Sequence, residues 1–284
     1  MRIFITGADG QLGSELRRML RGETLLLGTW PQFDLEKPDV ERSIVETGPD
    51  VVIHAAAYTN VDQAEREPDR VMRINADGTR RVAQAAAAVG AKLIYLSTDY
   101  VFDGEKRVPY VETDEPRPIN VYGRSKLEGE REAMAHCPNT LVVRTSWLYG
   151  STGKNFVRTI LRLAAEQPVL KVVADQRGCP THAGDLADAL CRLLPQDLRG
   201  VLHVAGAGDC TWYEFACAIV SSTSLSARVE PISTDEAGRP ARRPAYSVLS
   251  CRRLHDAGIR MPHWRESLTR FVREEGIGCS AVKG

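Results

Sequence analysis

Short apolar runs alternate with amphipathic stretches through most of the chain. Arg2 to Ile5 reads as a strand, Gln11 to Leu20 as a helix, Thr24 to Leu27 as a strand, and Asp50 to His54 as another, entered from Pro49. A helical stretch from about Asp69 to Val89 leads into a strand at Lys92 to Leu96, and a helix from Tyr122 to His136 leads into Thr140 to Arg144. Continuously apolar strands separated by helices predict a parallel sheet covered on both faces. The expected fold class is α/β, doubly wound. Beyond Tyr149 the alternation is looser, with helices at Asn155 to Glu166, Ala183 to Leu194, Trp212 to Val220 and Trp264 to Arg273. Strands at Leu170 to Val173 and Val201 to Val204 lie between them. No repeat or low-complexity linker interrupts the chain, so the second half is expected to pack on the first.

Composition narrows the function classes. Among 284 residues, 37 Lys and Arg balance 37 Asp and Glu, and the charges are interspersed, which points to neither nucleic acid nor an anionic membrane as a partner. The apolar run after Arg2 is too short for a secretory signal, and no run approaches a membrane span. The expected compartment is cytoplasmic. Seven cysteines (137, 179, 191, 210, 217, 251 and 279) contain no Cys-x-x-Cys, the usage of reduced thiols. Six histidines form no His-x-x-x-His pair of the kind that marks a catalytic metal.

Gly7-Ala8-Asp9-Gly10-Gln11-Leu12-Gly13 follows the first strand and opens the first helix. In that position Gly7 permits the tight turn, Gly10 lets the backbone approach a pyrophosphate, and Gly13 allows helix to pack closely on strand. Amides at the helix start then face the phosphates. The second strand ends in Gly28-Thr29-Trp30, with Asp34 as the first acid after it, and no arginine is expected nearby to attract a 2′-phosphate. An acid-free strand end does not repel a 2′-phosphate, so NADPH is the expected cofactor, with NADH as the alternative.

Tyr122 and Lys126 are four residues apart, which places them on one face of a helix. A lysine ammonium near a phenol favours the phenolate and brings its pKa toward the working range, the requirement for a tyrosine acid-base group. Leu96-Ser97-Thr98-Asp99-Tyr100 ends a central strand, and the hydroxyls of Ser97 and Thr98 are candidates to hold a substrate carbonyl. The proline-bearing basic loop Gly238 to Ser247 carries Arg239, Arg242 and Arg243, whose guanidinium forks suit diphosphate oxygens.

Thr6-Gly7-x-x-Gly10-x-x-Gly13, Ala55-Ala56-Ala57, Ser97 to Phe102, Tyr122-x-x-x-Lys126, Arg144 to Tyr149 and Arg243-Pro-x-x-Ser247 together resemble the extended short-chain dehydrogenase/reductase superfamily. Within it the chain is most similar to the dTDP-4-dehydrorhamnose reductase family. The resemblance implies a Rossmann-type sheet with a smaller C-terminal substrate-binding domain. It divides the chain into a cofactor domain, residues 1–150 plus about 181–207, and a nucleotide-sugar domain, about 151–180 plus 208–284. It implies hydride transfer from NADPH to C4 of dTDP-4-dehydro-L-rhamnose, giving dTDP-L-rhamnose for polysaccharide biosynthesis. Tyr122 would donate the proton, Lys126 would tune it and bind the nicotinamide ribose, and Thr98 would hydrogen-bond the reacting oxygen. Asp99 and Trp147 would line the sugar pocket. Asp34 and Leu35 would touch the adenine end of the cofactor, Ala55 to Ala57 its ribose and pyrophosphate, and Asp9, Gln11 and Leu12 the same cradle. Some members hold Mg2+ at a homodimer contact through a glutamate of the first helix; Glu15 matches that position, Asp185 stands for a second ligand and Ser247 for a third. The alternatives are another nucleotide-sugar ketoreductase, an epimerase or dehydratase, or a non-catalytic regulator resembling the regulatory subunit of methionine adenosyltransferase. The joint presence of Tyr122, Lys126, Thr98, Asp99 and Trp147 favours catalysis.

Overall fold

The computed structural model describes residues 1–277. The last seven residues of the expected second domain, Cys279 among them, lie outside the described residues. The chain begins β1 (Arg2–Thr6), α1 (Gln11–Met19), β2 (Thr24–Gly28), α2 (Val40–Val45) and β3 (Val51–His54). It continues α3 (Val61–Ala64), α4 (Pro68–Met72), α5 (Gly78–Ala88), β4 (Lys92–Thr98), α6 (Val121–His136) and β5 (Thr140–Thr145). After β6 (Leu148–Tyr149) come α7 (Phe156–Glu166), β7 (Val169–Val173), β8 (Arg177–Gly178), β9 (Thr181–His182), α8 (Ala183–Leu193) and β10 (Gly200–His203). The remainder is β11 (Cys210–Thr211), α9 (Trp212–Ser221), β12 (Arg228–Ile232), α10 (Thr234–Ala237), α11 (Arg252–Asp256) and α12 (Trp264–Glu274).

Six parallel strands form one sheet in the order β10-β5-β4-β3-β1-β2. Alternation along each strand feeds two separate cores. Ile3, Ile5, Ile53, Ile94 and Val143 meet Leu12 and Leu16 of α1 and Leu186 and Leu190 of α8 on one face. Phe4, Val52, Leu93, Tyr95 and Val142 meet Ile44, Val82, Ala86 and Ala133 on the other. This is the doubly wound sheet that apolar strands predict. The sheet grows outward in both directions from the gap between β1 and β3, and ligands of open α/β sheets bind at such a switch point, beyond the carboxyl ends of the strands.

The helix expected from Asp69 to Val89 is three pieces: α4, a π-helical turn Arg73–Asp77, and α5. Asn75 sits buried in the widened turn, where its amide donates to the Tyr58 carbonyl (3.1 Å) and the Ser125 hydroxyl (2.9 Å) and its oxygen accepts from the Tyr58 amide (2.8 Å). An apolar-period reading cannot see such a turn, which is set by one polar side chain finding partners across the fold.

Past the sheet, β7 pairs in parallel with β12, and α7, α9 and α12 close over them around Ile160, Phe215, Ile219, Trp264 and Phe271. The sequence pattern missed β12 because Arg228-Val-Glu-Pro-Ile is polar on one side and carries a proline. Among the described residues no helix is long and apolar enough to cross a membrane, and the six cysteines are free.

Candidate functional site

One cavity of about 910 Å³ runs along the carboxyl ends of the central strands, from Trp30, Asp34 and Leu35 past the Gly7 to Gly13 turn to Tyr122, Lys126, Trp147 and Trp212. Its cradle end is shaped by the absence of side chains. Gly7 has φ +65°, and a Cβ there would lie 2.9 Å from the Ala56 backbone. A Cβ on Gly13 would lie 2.2 Å from the Gly7 carbonyl oxygen. Thr6 supports the same point from behind, accepting the Ala56 amide (3.0 Å) while its hydroxyl meets His54 Nδ1 (2.7 Å). Asp9, Gly10, Gln11, Leu12, Ala55 and Ala57 also line the cavity, so the whole predicted cofactor set converges on it. A helix N-terminus behind a glycine turn that no Cβ could share fits a dinucleotide pyrophosphate.

At the end of the cavity beyond the glycine turn, Asp34 Oδ1 accepts the Glu36 amide (3.0 Å), and Leu35 is buried. Arg70, remote in sequence, lines the same end and is paired with Glu36 (3.1 Å) and Glu67 (3.3 Å). The expectation that no arginine stands near is therefore corrected: α4 brings one, a long-range juxtaposition that local sequence cannot display.

Asn120 caps α6 by accepting the Gly123 amide (2.7 Å), and the helix presents Tyr122 and Lys126 to the cavity. The two side chains share the space but make no hydrogen bond. Lys126 Nζ lies over the Tyr95 ring, 4.1 Å from its centroid. Burial pushes the Tyr122 hydroxyl up to about 12, with the adjoining Thr98 hydroxyl opposing this and the Asp99 carboxylate adding to it. Burial also pulls Lys126 down to about 7, against the attraction of Glu130. The expected acidification of Tyr122 by its neighbour is thus not what the ligand-free protein displays. Burial keeps Tyr122 a protonated phenol, the form a proton donor needs.

Ser97 and Thr98 part company. Ser97 lines the cavity, but its hydroxyl donates to Glu130 Oε1, inside a buried cluster where Arg144 grips Glu130 with two bonds (2.8 and 2.7 Å). Ser97 is committed there and is withdrawn as a carbonyl partner. Thr98 instead donates to Asp99 Oδ1 (3.2 Å), beside Tyr122. Asp99 also accepts from Ser247 (2.5 Å) and Ser146 (3.2 Å), yet burial raises its carboxyl to about 6.

Trp147 has φ +48°, unusual for a bulky side chain, and its ring stacks on Trp212 with centroids 3.4 Å apart and planes 6° from parallel. Gly178 makes room, since a Cβ there would lie 2.5 Å from the indole. Trp212 and Phe156 belong to this wall and were missed, because nothing in their local sequence separates them from core aromatics. The basic loop does not line the cavity in the way expected: Arg239 (3.2 Å) and Arg243 (3.0 Å) are paired with Asp62, and Arg242 is exposed.

The proposed metal ligands do not assemble within one chain. Glu15 is paired with Arg18 (2.9 Å), Asp185 is held by Ser267 (2.5 Å) and Arg270, and Ser247 serves Asp99. Among the described residues no three His, Cys, Asp or Glu side chains are placed to hold an ion. Carboxylates neutralised by arginines do not fit Mg2+, which requires near-octahedral oxygen ligands.

The sheet order, the glycine cradle at its switch point and the Tyr-x-x-x-Lys helix beside it define the extended short-chain dehydrogenase/reductase class. The fold alone is shared widely: UDP-glucose 4-epimerase from Thermus thermophilus, solved with NAD, is 23% identical, with a TM-score of 0.82 over 96% of this chain and 98% of that one. Within the class, the chain belongs to the RmlD substrate binding domain family, whose model matches residues 1–277. A dTDP-4-dehydrorhamnose reductase of Sinorhizobium fredii is 46% identical over 96% of this chain and 97% of its own length. The crystal structure of the Bacillus anthracis dTDP-4-dehydrorhamnose reductase in complex with NADP is 43% identical, with a TM-score of 0.93 over 96% of this chain and 99% of that one. Spore coat polysaccharide biosynthesis protein SpsK of Bacillus subtilis is 41% identical over 98% of this chain and 99% of its own length.

Proposed function

We propose that the protein reduces the C4 keto group of dTDP-4-dehydro-L-rhamnose to dTDP-L-rhamnose with NADPH. The observation that carries this reading is a single cavity whose one end is the glycine cradle and whose other end holds Tyr122, Lys126 and Asp99, with the Thr98 hydroxyl adjoining Tyr122 and Asp99. NADPH, once bound, supplies the hydride that reaches C4. The chain's own residues do the rest. Thr98 orients the keto oxygen by hydrogen bonding, and Tyr122 gives that oxygen its hydroxyl proton as negative charge develops. The resulting phenolate is stabilised by Lys126 in ammonium form, which also binds the nicotinamide ribose. Buried Asp99 and the Trp147 wall hold the sugar.

Gly7, Asp9, Gly10, Gln11, Leu12 and Gly13 hold the dinucleotide pyrophosphate, Ala55 to Ala57 lie along it, and Asp34 and Leu35 receive its adenosine. NADPH is preferred over NADH, with Arg70, half-exposed at that end and shared between Glu36 and Glu67, as the guanidinium that would have to exchange these partners for the 2′-phosphate. The cofactor domain is residues 1–150 plus about 181–207, and the sugar domain about 151–180 plus 208–284. The test is incubation of purified protein with dTDP-4-dehydrorhamnose and NADPH, following loss of reduced nicotinamide and assigning the product by NMR. Formation of dTDP-L-rhamnose is expected. Tight NADPH binding without turnover would replace this reading with a non-catalytic regulator.

A further inference from the structure

The glycine turn that faces a diphosphate brings no cation of its own, since Asp9 is the single charged side chain between Gly7 and Gly13. Among the described residues, three cations line the cavity. Arg70 stands at the adenosine end between Glu36 and Glu67, and Lys126 is buried against Tyr95. The third is Lys154, exposed, lining the cavity, and without an ion pair among the described residues. Its place is fixed by its neighbours. Asn155 caps α7 by accepting the Arg158 amide (3.0 Å), and its side-chain amide donates to the Gly150 carbonyl (2.8 Å) and to Gln11 Oε1 (3.0 Å). Gln11 is the first residue of α1. Gly153, with φ +69°, sits against the same side chain, a Cβ there lying 3.5 Å from Gln11 Cγ. The loop carrying Lys154 is therefore tied to the start of the helix behind the glycine turn.

We propose that Lys154 is a diphosphate-binding residue of this cavity. Resting on the functional reading above, the ligand chemistry is a pyrophosphate dianion, carried either by the dinucleotide or by the nucleotide sugar. The Gln11 tie brings the Lys154 loop to a turn whose amides supply hydrogen bonds and whose only side-chain charge repels phosphate. A lysine on a flexible stem acts there as a point charge.

The experiment titrates full-length wild type, Lys154→Ala and Lys154→Arg separately with NADPH and with dTDP, at low and moderate salt, with melting curves run alongside. For one ligand, Lys154→Ala is expected to weaken binding about tenfold and flatten the salt dependence, while Lys154→Arg stays within about threefold and melting is unchanged. A loss on the NADPH arm assigns Lys154 to the dinucleotide; a loss on the dTDP arm assigns it to the sugar nucleotide. Both constants of Lys154→Ala within about twofold of wild type would overturn the proposal. Wild type that binds neither ligand would instead overturn the reading on which it rests.

Discussion

Replacing Gly13 by alanine tests whether the cradle depends on backbone approach. The added methyl would lie 2.2 Å from the Gly7 carbonyl oxygen, 2.6 Å from Ala8 Cα and 2.8 Å from the Ala8 carbonyl carbon. Ordinary contact begins near 3.4 Å, so the clash is about 1 Å deep, and every opposing atom is backbone. No rotamer change relieves it. Either α1 moves away from the turn, carrying its N-terminal amides with it, or the turn itself opens. Overpacking of this kind costs about 1–3 kcal/mol of stability. Displacing the phosphate-facing amides by a comparable distance should weaken nucleotide binding about tenfold or more, a change of about 1.4 kcal/mol. Gly22→Ala is the control, because a Cβ there meets nothing within 4 Å, and it should stay within about 0.5 kcal/mol of wild type. Denaturant unfolding and NADPH fluorescence titration read both quantities. Wild-type stability and affinity in Gly13→Ala would refute the steric argument and the cradle built on it.

Two further outcomes follow from buried charge. The folded Lys126 value of about 7 lies below the unfolded lysine value. Between about pH 7 and pH 10 the unfolded chain therefore holds a proton that the folded one has shed, and stability rises with pH through that window. Without nucleotide, Lys126→Met should lose this rise in denaturation curves measured across the window, and curves parallel to wild type would contradict the burial effect. Arg144→Met should destabilise by about 3–5 kcal/mol, because it strands the Glu130 carboxylate at 1% exposure; a loss under about 1 kcal/mol would show that the cluster accommodates an unpaired acid.

Local pattern made much of this site readable. Continuous apolar runs at Arg2 to Ile5 and Asp50 to His54 placed the strands, and the glycine spacing matches where a Cβ has no room. Tyr122 and Lys126 were found because helical periodicity brings residues four apart to one face. What the sequence could not display is how distant side chains compete for partners. Ser97 looked available beside Thr98, but Glu130 from α6 takes it. Arg239 and Arg243 looked like phosphate ligands until Asp62 was found between them. Arg70 and Lys154 reach the cavity from segments with no motif. The ammonium of Lys126 was expected to govern Tyr122, yet depth of burial governs both, and burial is a property of the whole fold.

The central claim is that the Tyr122 hydroxyl supplies the proton that completes the alcohol. Its most direct measurement is the single-turnover rate of Tyr122→Phe with saturating NADPH and dTDP-4-dehydrorhamnose, beside the NADPH dissociation constant of the same variant. The account predicts a rate lowered about a hundredfold or more with cofactor affinity within about threefold of wild type. A rate within a few-fold of wild type would contradict it.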